Sequence, residues 1–146
     1  MTRYLLDVNV LLAIVWPHHV DHAAAVAWFA EFGHQAWASN PLTQIGVLRL
    51  LTNPAVTQSA MTADTALAAV AAATRNQGHE FWPLDFDIAA VLLPMAGKIS
   101  GHQQWTDALL LSHAMRRHGV LVTFDSALKQ LAAGGLENHL LVLKPR

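Results

Sequence analysis

The sequence predicts an α/β fold, a central parallel sheet of about five strands with helices on both faces, in a single domain over residues 1–146. Three observations carry this expectation. Short runs such as Tyr4-Leu-Leu6 and Val120-Leu-Val-Thr123 are separated by helix-length segments, the spacing that parallel strands need for their crossovers. Each run is apolar throughout rather than alternating with polar residues, the pattern of strands buried on both faces. Finally, 146 residues with 53% hydrophobic content supply one core and leave little room for a second domain.

The elements follow in order. Arg3 to Asp7 reads as the first strand and runs into an apolar helix that Pro17 stops. Asp21 caps the next helix, with Ala25, Trp28, Phe29 and Phe32 on one face and Gly33 at its end. Ala36 to Ser39 is the second strand, Asn40-Pro41 a turn, and Thr43 the cap of a helix through Leu51 that Asn53-Pro54 ends. Thr62 opens an alanine-rich helix to about Gln77, terminated by Gly78. Glu80 to Trp82 is a third strand before Pro83, Asp87 to Met95 an apolar helix, and Lys98 to Gln104 a loop. Trp105 to His118 forms a helix closed by Gly119. Val120 to Thr123 is the fourth strand, Ser126 to Ala133 a short helix before Gly134-Gly135, and Leu140 to Leu143 the fifth strand.

Composition narrows the function. Nine Lys plus Arg against ten Asp plus Glu give a net charge of −1, without the basic excess of a general nucleic-acid-binding surface, so any such contact is local. The absence of cysteine excludes disulfides, thiolate zinc sites and a thiol nucleophile. Charged residues are only 13%, about half the usual share, and the surplus apolar surface implies a dimer or another partner. No run approaches the ~18 apolar residues of a membrane span, and Asp7 interrupts the apolar N-terminus before a signal-peptide core forms. A soluble, cytoplasmic chain is expected.

Asp7, Asp107 and Asp125 stand at or just past strand ends or at a helix start, where open α/β sheets bind ligands. Gathered together, three carboxylates suit Mg²⁺ or Mn²⁺, which prefer oxygen ligands. Each has a plainer explanation: Asp107 as a helix cap, Asp125 as a turn residue before Ser126. Asp7 is the hardest to explain that way, because a carboxylate between Leu6 and Val8 is costly unless hydrogen-bonded, paired or metal-bound. Asn9 is placed to hold backbone or the Asp7 carboxylate by hydrogen bonding, or equally to make a turn. His18, His19 and His22 lack the HExxH pattern and a nearby acid, so zinc is disfavoured. The five tryptophans are read mainly as packing residues, although any could stack on a base. Arg116, Arg117 and Lys129 form either a small basic rim or a solvated helix end.

Four segments resemble the blocks of the PIN-domain ribonucleases, most closely the VapC-like toxins of toxin–antitoxin pairs: Leu5-Leu-Asp-Val-Asn-Val-Leu-Leu12, Thr43-Gln-Ile-Gly-Val-Leu-Arg49, Gly101-His-Gln-Gln-Trp-Thr-Asp-Ala-Leu-Leu110 and Leu121-Val-Thr-Phe-Asp125. Each block is weak alone; the four in the family's order are a strong joint signal. The resemblance implies a PIN-like domain and a metal-dependent endoribonuclease. Asp7, Asp107 and Asp125 would bind one or two Mg²⁺ or Mn²⁺ ions, with Thr123 and Asn9 supporting them and water as the nucleophile. It also implies an RNA substrate, tRNA first, a cognate antitoxin and a homodimer. His102 and Arg49 become candidate substrate or partner contacts, with a loop-ordering hydrogen bond the plainer explanation for His102 and a salt bridge for Arg49.

One position departs from the pattern. Where the family carries glutamate after threonine, this chain has Gln44, which can accept a hydrogen bond but adds no negative charge and cannot act as a base. At about 4 Å and an effective dielectric near 20, one unit charge facing a divalent cation contributes roughly 8 kcal/mol of gross attraction, much of it offset by desolvation. The expectation is therefore a weakened nuclease, or a catalytically silent scaffold that binds antitoxin, RNA or both.

Overall fold

In the computed structural model, which describes residues 1–59 and 61–145, five short strands form one parallel sheet: β1 (Tyr4–Leu6), β2 (Trp37–Ser39), β3 (His79–Phe81), β4 (Val120–Thr123) and β5 (Leu140–Val142). Their order is β3-β2-β1-β4-β5. The chain moves outward from β1 to β3 on one side, then returns to lay β4 against the other side of β1, in register Leu6↔Val122. The carboxyl ends of β1 and β4 thus flank the point where strand order reverses, the crevice in which such sheets bind ligands.

Helices α1 (Val8–Val15), α2 (His22–Trp28), α3 (Pro41–Leu51), α4 (Pro54–Thr57), α5 (Ala63–Thr74), α6 (Ile88–Leu92), α7 (Trp105–Arg116) and α8 (Leu128–Ala132) fill the connections. The two-residue period of the strands divides the core. Leu5, Ala38 and Leu121 join Leu110, Leu111, Leu128 and Trp82 on the α6–α7–α8 face. Leu6, Trp37 and Val122 join Val10, Leu11, Val47, Leu51 and Val70 on the α1–α3–α5 face. Adjacent residues of one strand therefore feed opposite cores, which is why the runs contain no polar alternation.

The edges behave differently. β3 pairs only with β2, and its Glu80 and Phe81 are exposed, so the expectation of burial on both faces holds for the middle of the sheet and fails there. Asn40, not Thr43, caps α3: its side chain accepts from the Thr43 N–H at 2.9 Å, and the Asn40 N–H donates to Thr43 Oγ1 at 3.0 Å. Pro41 then occupies the first helical turn, where its missing N–H costs nothing. Phe32 is 53% exposed rather than packed, because α2 widens into a π-helical turn over Phe29–Gly33 that shifts the helical phase. α5 ends at Thr74, short of Gln77. Pro94 converts the end of the α6 segment into a 3₁₀ helix over Leu93–Lys98, and the expected loop contains a further 3₁₀ turn, His102–Gln104. Among the described residues no helix is long and apolar enough to cross a membrane.

Candidate active site

Asp7 leaves β1 and caps α1, accepting from the Val8 N–H at 2.7 Å. Its other oxygen accepts from Thr123 Oγ1 at 2.7 Å, across 116 residues of sequence. The side chain is buried. Burial pushes its pKa up, the two hydrogen bonds pull it back, and the Asp125 charge raises it further. Thr123 is the hub: while donating to Asp7 it accepts from Asn9 Nδ2 at 3.2 Å and from the Asp125 N–H at 3.0 Å. Asn9 Oδ1 in turn accepts from the Phe124 N–H at 3.2 Å. The expected support role of Asn9 thus runs through Thr123 and the β4 backbone, not through a bond to Asp7. These bonds lock the ends of β1 and β4 together.

Asp107 is the third residue of α7 and makes no capping bond, so the plain explanation as a cap does not hold. Its carboxyl is pushed up to about 6, first by burial and then by the charges of Asp7 and Asp125. The mutual repulsion identifies the three as one electrostatic cluster. Asp125 is exposed and also makes its turn, accepting from the Ala127 N–H at 2.9 Å; the turn and the cluster coexist. Ion pairs among the described residues join Arg3 to Glu80 and Arg117 to Asp85, and none reaches the cluster.

Gln44 stands in the first turn of α3, and its Nε2 donates to Ser39 Oγ at 2.9 Å. Ser39, fully buried at the end of β2, is also 2.7 Å from His79 Nε2. Arg49 is exposed in a groove with Val8, Gly46, Leu50 and Asn53. His102 lies exposed in the turn before α7, and Trp105, two residues from Asp107, is 50% exposed. Trp37 and Trp82 are core, as expected for packing residues. The arginine pair is engaged elsewhere: Arg117 stacks over Trp82 and Arg116 over Phe86. His19 Nδ1 accepts from the Asp21 N–H and His22 Nδ1 bonds the Ala13 carbonyl.

Three mutually repelling carboxylates without a cationic partner are the donor set a hard divalent cation would relieve. They are not a finished cage: among the described residues no three acidic, histidine or cysteine side chains stand close enough to enclose an ion.

The PIN-domain family model matches residues 4–134. The chain belongs to the PIN-domain family. Among its relatives are three Mycobacterium tuberculosis proteins. Ribonuclease VapC39 is 44% identical over 132 residues, covering 90% of this chain and 95% of the relative. Ribonuclease VapC38 is 40% identical, covering 88% and 89%, and Ribonuclease VapC44 is 37% identical, covering 97% and 99%. These put this PIN domain with the VapC-like ribonucleases. The fold is also that of a chain in the crystal structure of VapBC2 from Rickettsia felis bound to a DNA fragment from their promoter, at TM-score 0.62 and 15% identity, covering 99% of this chain and 100% of the other.

Two polar pairs of this PIN domain escape a reading of the sequence. One is Ser39 with His79. The other is Asn40 with His113, both buried, with Nδ2 and Nδ1 3.0 Å apart. Burial, with Arg117 nearby, holds the His113 pKa down at about 4, so the ring is neutral and accepts from Asn40 at Nδ1. A histidine within the apolar run Leu109 to Ala114 was the available signal, since a polar ring there needs a partner. No comparable signal marked Ser39.

Proposed function

We propose that this PIN domain is the toxin of a toxin–antitoxin pair, an endoribonuclease that hydrolyses RNA phosphodiester bonds with Mg²⁺ or Mn²⁺, with tRNA as the substrate class. The observation that carries the proposal is the cluster of Asp7, Asp107 and Asp125, free of basic partners at the strand-order switch, in a chain related to ribonucleases. These three carboxylates would hold the ion. When bound, it polarises the phosphate, lowers the pKa of water and offsets charge developing on oxygen. The chain's own work is positional. Val8 and Thr123 fix both oxygens of Asp7, and Asn9 fixes Thr123, so the site needs little reorganisation to bind a cation. Gln44 supplies a neutral amide where an acid would add charge. Exposed Trp105 and His102 offer a stacking face beside Asp107 for an unpaired base, and Arg49 a phosphate contact.

The exposed apolar side chains Val20, Ile45, Ile88 and Leu93 fit the proposed homodimer and antitoxin contacts, and the proposed setting is the cytoplasm. A second reading, a silent scaffold that retains antitoxin or RNA binding, is favoured by one observation: Gln44 carries no charge and its amide is turned to Ser39.

The test is cleavage of total tRNA by antitoxin-free protein over rising Mg²⁺ and Mn²⁺, beside Asp7→Asn and Gln44→Glu. The expected result is metal-dependent cutting by the unaltered chain that Asp7→Asn abolishes. Cutting by Gln44→Glu alone would establish the silent scaffold, and no cutting of any RNA by either would overturn the nuclease reading.

A further inference from the structure

We infer that Ser39 and His79 are positioning residues that fix the polarity of the Gln44 amide, holding its nitrogen against Ser39 and leaving Oε1 as the free end.

One hydrogen-bonded row has a fixed number of protons to share. Gln44 Nε2, Ser39 Oγ and His79 Nε2 follow one another at 2.9 and 2.7 Å. Gln44 Nε2 donates to the Ser39 oxygen, so the serine proton turns to His79 and Nε2 receives it. In the neutral ring the remaining proton then sits on Nδ1. With its own proton committed, the serine oxygen can only accept from position 44, which therefore has to present a donor. An amide does so; a carboxylate does not. The reverse polarity would move the ring proton to Nε2.

The setting keeps the row in this state. Ser39 is fully buried and His79 lies against Trp37 with ring centroids 4.5 Å apart. The desolvation outweighs the pull of Thr74 and of the neighbouring Glu80, so the ring is held below its ordinary pKa and stays neutral. The row thus matches glutamine at position 44 and conflicts with glutamate. It reaches from edge strand β3 through β2 to the first turn of α3, so the orientation of a half-buried helix side chain is set from the edge strand of the sheet. The consequence for cleavage rests on the ribonuclease reading above; the polarity itself does not.

Nitrogen NMR of the His79 ring in the intact protein tests the polarity directly. The neutral ring should be protonated at Nδ1, with Nε2 bare. In Gln44→Glu, Ser39 must donate to the carboxylate and Nε2 must gain a proton, so the His79 titration midpoint rises by about one unit or more. In the double variant Ser39→Ala/Gln44→Glu that rise should disappear. A ring protonated at Nε2 in the unaltered chain, or a midpoint indifferent to Gln44→Glu, would overturn the inference. Gln44 is only half-buried, so its variant keeps the fold and the outcome stays interpretable even where Ser39→Ala melts early. On an RNA substrate, Ser39→Ala should lower kcat several-fold with KM unchanged, and an unchanged kcat would refute the positioning role. A chain that cuts no RNA yet shows the predicted tautomer and coupling would sink the nuclease reading and uphold the row.

Discussion

Burial, with the charges of Asp7 and Asp125, disfavours the ionised form of Asp107, and the sign of its effect on stability follows. Its pKa is raised from 3.8 to about 6, so the folded state prefers the protonated form. The contribution is fully present below 3.8 and lost as pH rises through about 6. Asp107→Asn should therefore raise the Tm of metal-free protein at pH 7 to 8 and leave it unchanged near pH 4. Adding Mn²⁺ at pH 7 should stabilise the unaltered chain more than the variant; equal shifts would separate cation binding from this cluster. Thr123 has the opposite sign. Thr123→Val removes the donor to a buried carboxylate and two acceptor contacts, at about 1.5–3 kcal/mol, and pushes the Asp7 pKa higher still. A denaturant midpoint unchanged in that variant would contradict the hub role of Thr123.

The elements decide how close the side chains come. Gly46 lies on the face of α3 that meets α1: a Cβ there would stand 2.6 Å from Val8 Cγ2, beside Asp7. Gly46→Ala gains helix propensity but must push α3 off α1, so a net loss of about 1–3 kcal/mol in thermal or urea unfolding is expected. The displaced helix carries Gln44 with it. A variant more stable than the parent would mean the two helices yield at this contact. The helix boundaries also show what a sequence discloses. Asp21, Thr62 and Asp87 announce their helices, since each stands just before a helical run. The strand ends bearing Asp7 and Asp125 were equally legible, because a carboxylate after an apolar run needs a reason. The cap of α3 was misassigned by three residues because Asn40 and Thr43 satisfy each other, and either suits a cap in isolation. Phe32 was misplaced because a π-helical turn shifts the phase on which helical periodicity depends. Ser39 and His79 lie 40 residues apart, and only the pairing of β2 with β3 makes them neighbours.

Over the whole molecule two titrations oppose each other. His113, held at about 4 against an ordinary 6.5, contributes stability that is present above 6.5 and lost as pH falls toward 4. Asp107 gains as His113 loses, and the windows overlap between about 4 and 6. The two together should flatten the acid limb of the unaltered protein, and Asp107→Asn should expose a steeper fall in Tm between pH 6 and 4. Parallel limbs in the two proteins would show that other groups govern acid unfolding. The strand order has a temporal meaning as well. β1 sits at the centre of the sheet, yet its neighbour β4 comes from the far end of the chain, and the bond between Asp7 and Thr123 spans 116 residues. At roughly 5–20 residues per second of synthesis, about 6–23 s separate the emergence of the two halves of the carboxylate cluster. No nascent chain shorter than 125 residues carries all three aspartates, so the cluster cannot assemble until translation is nearly over.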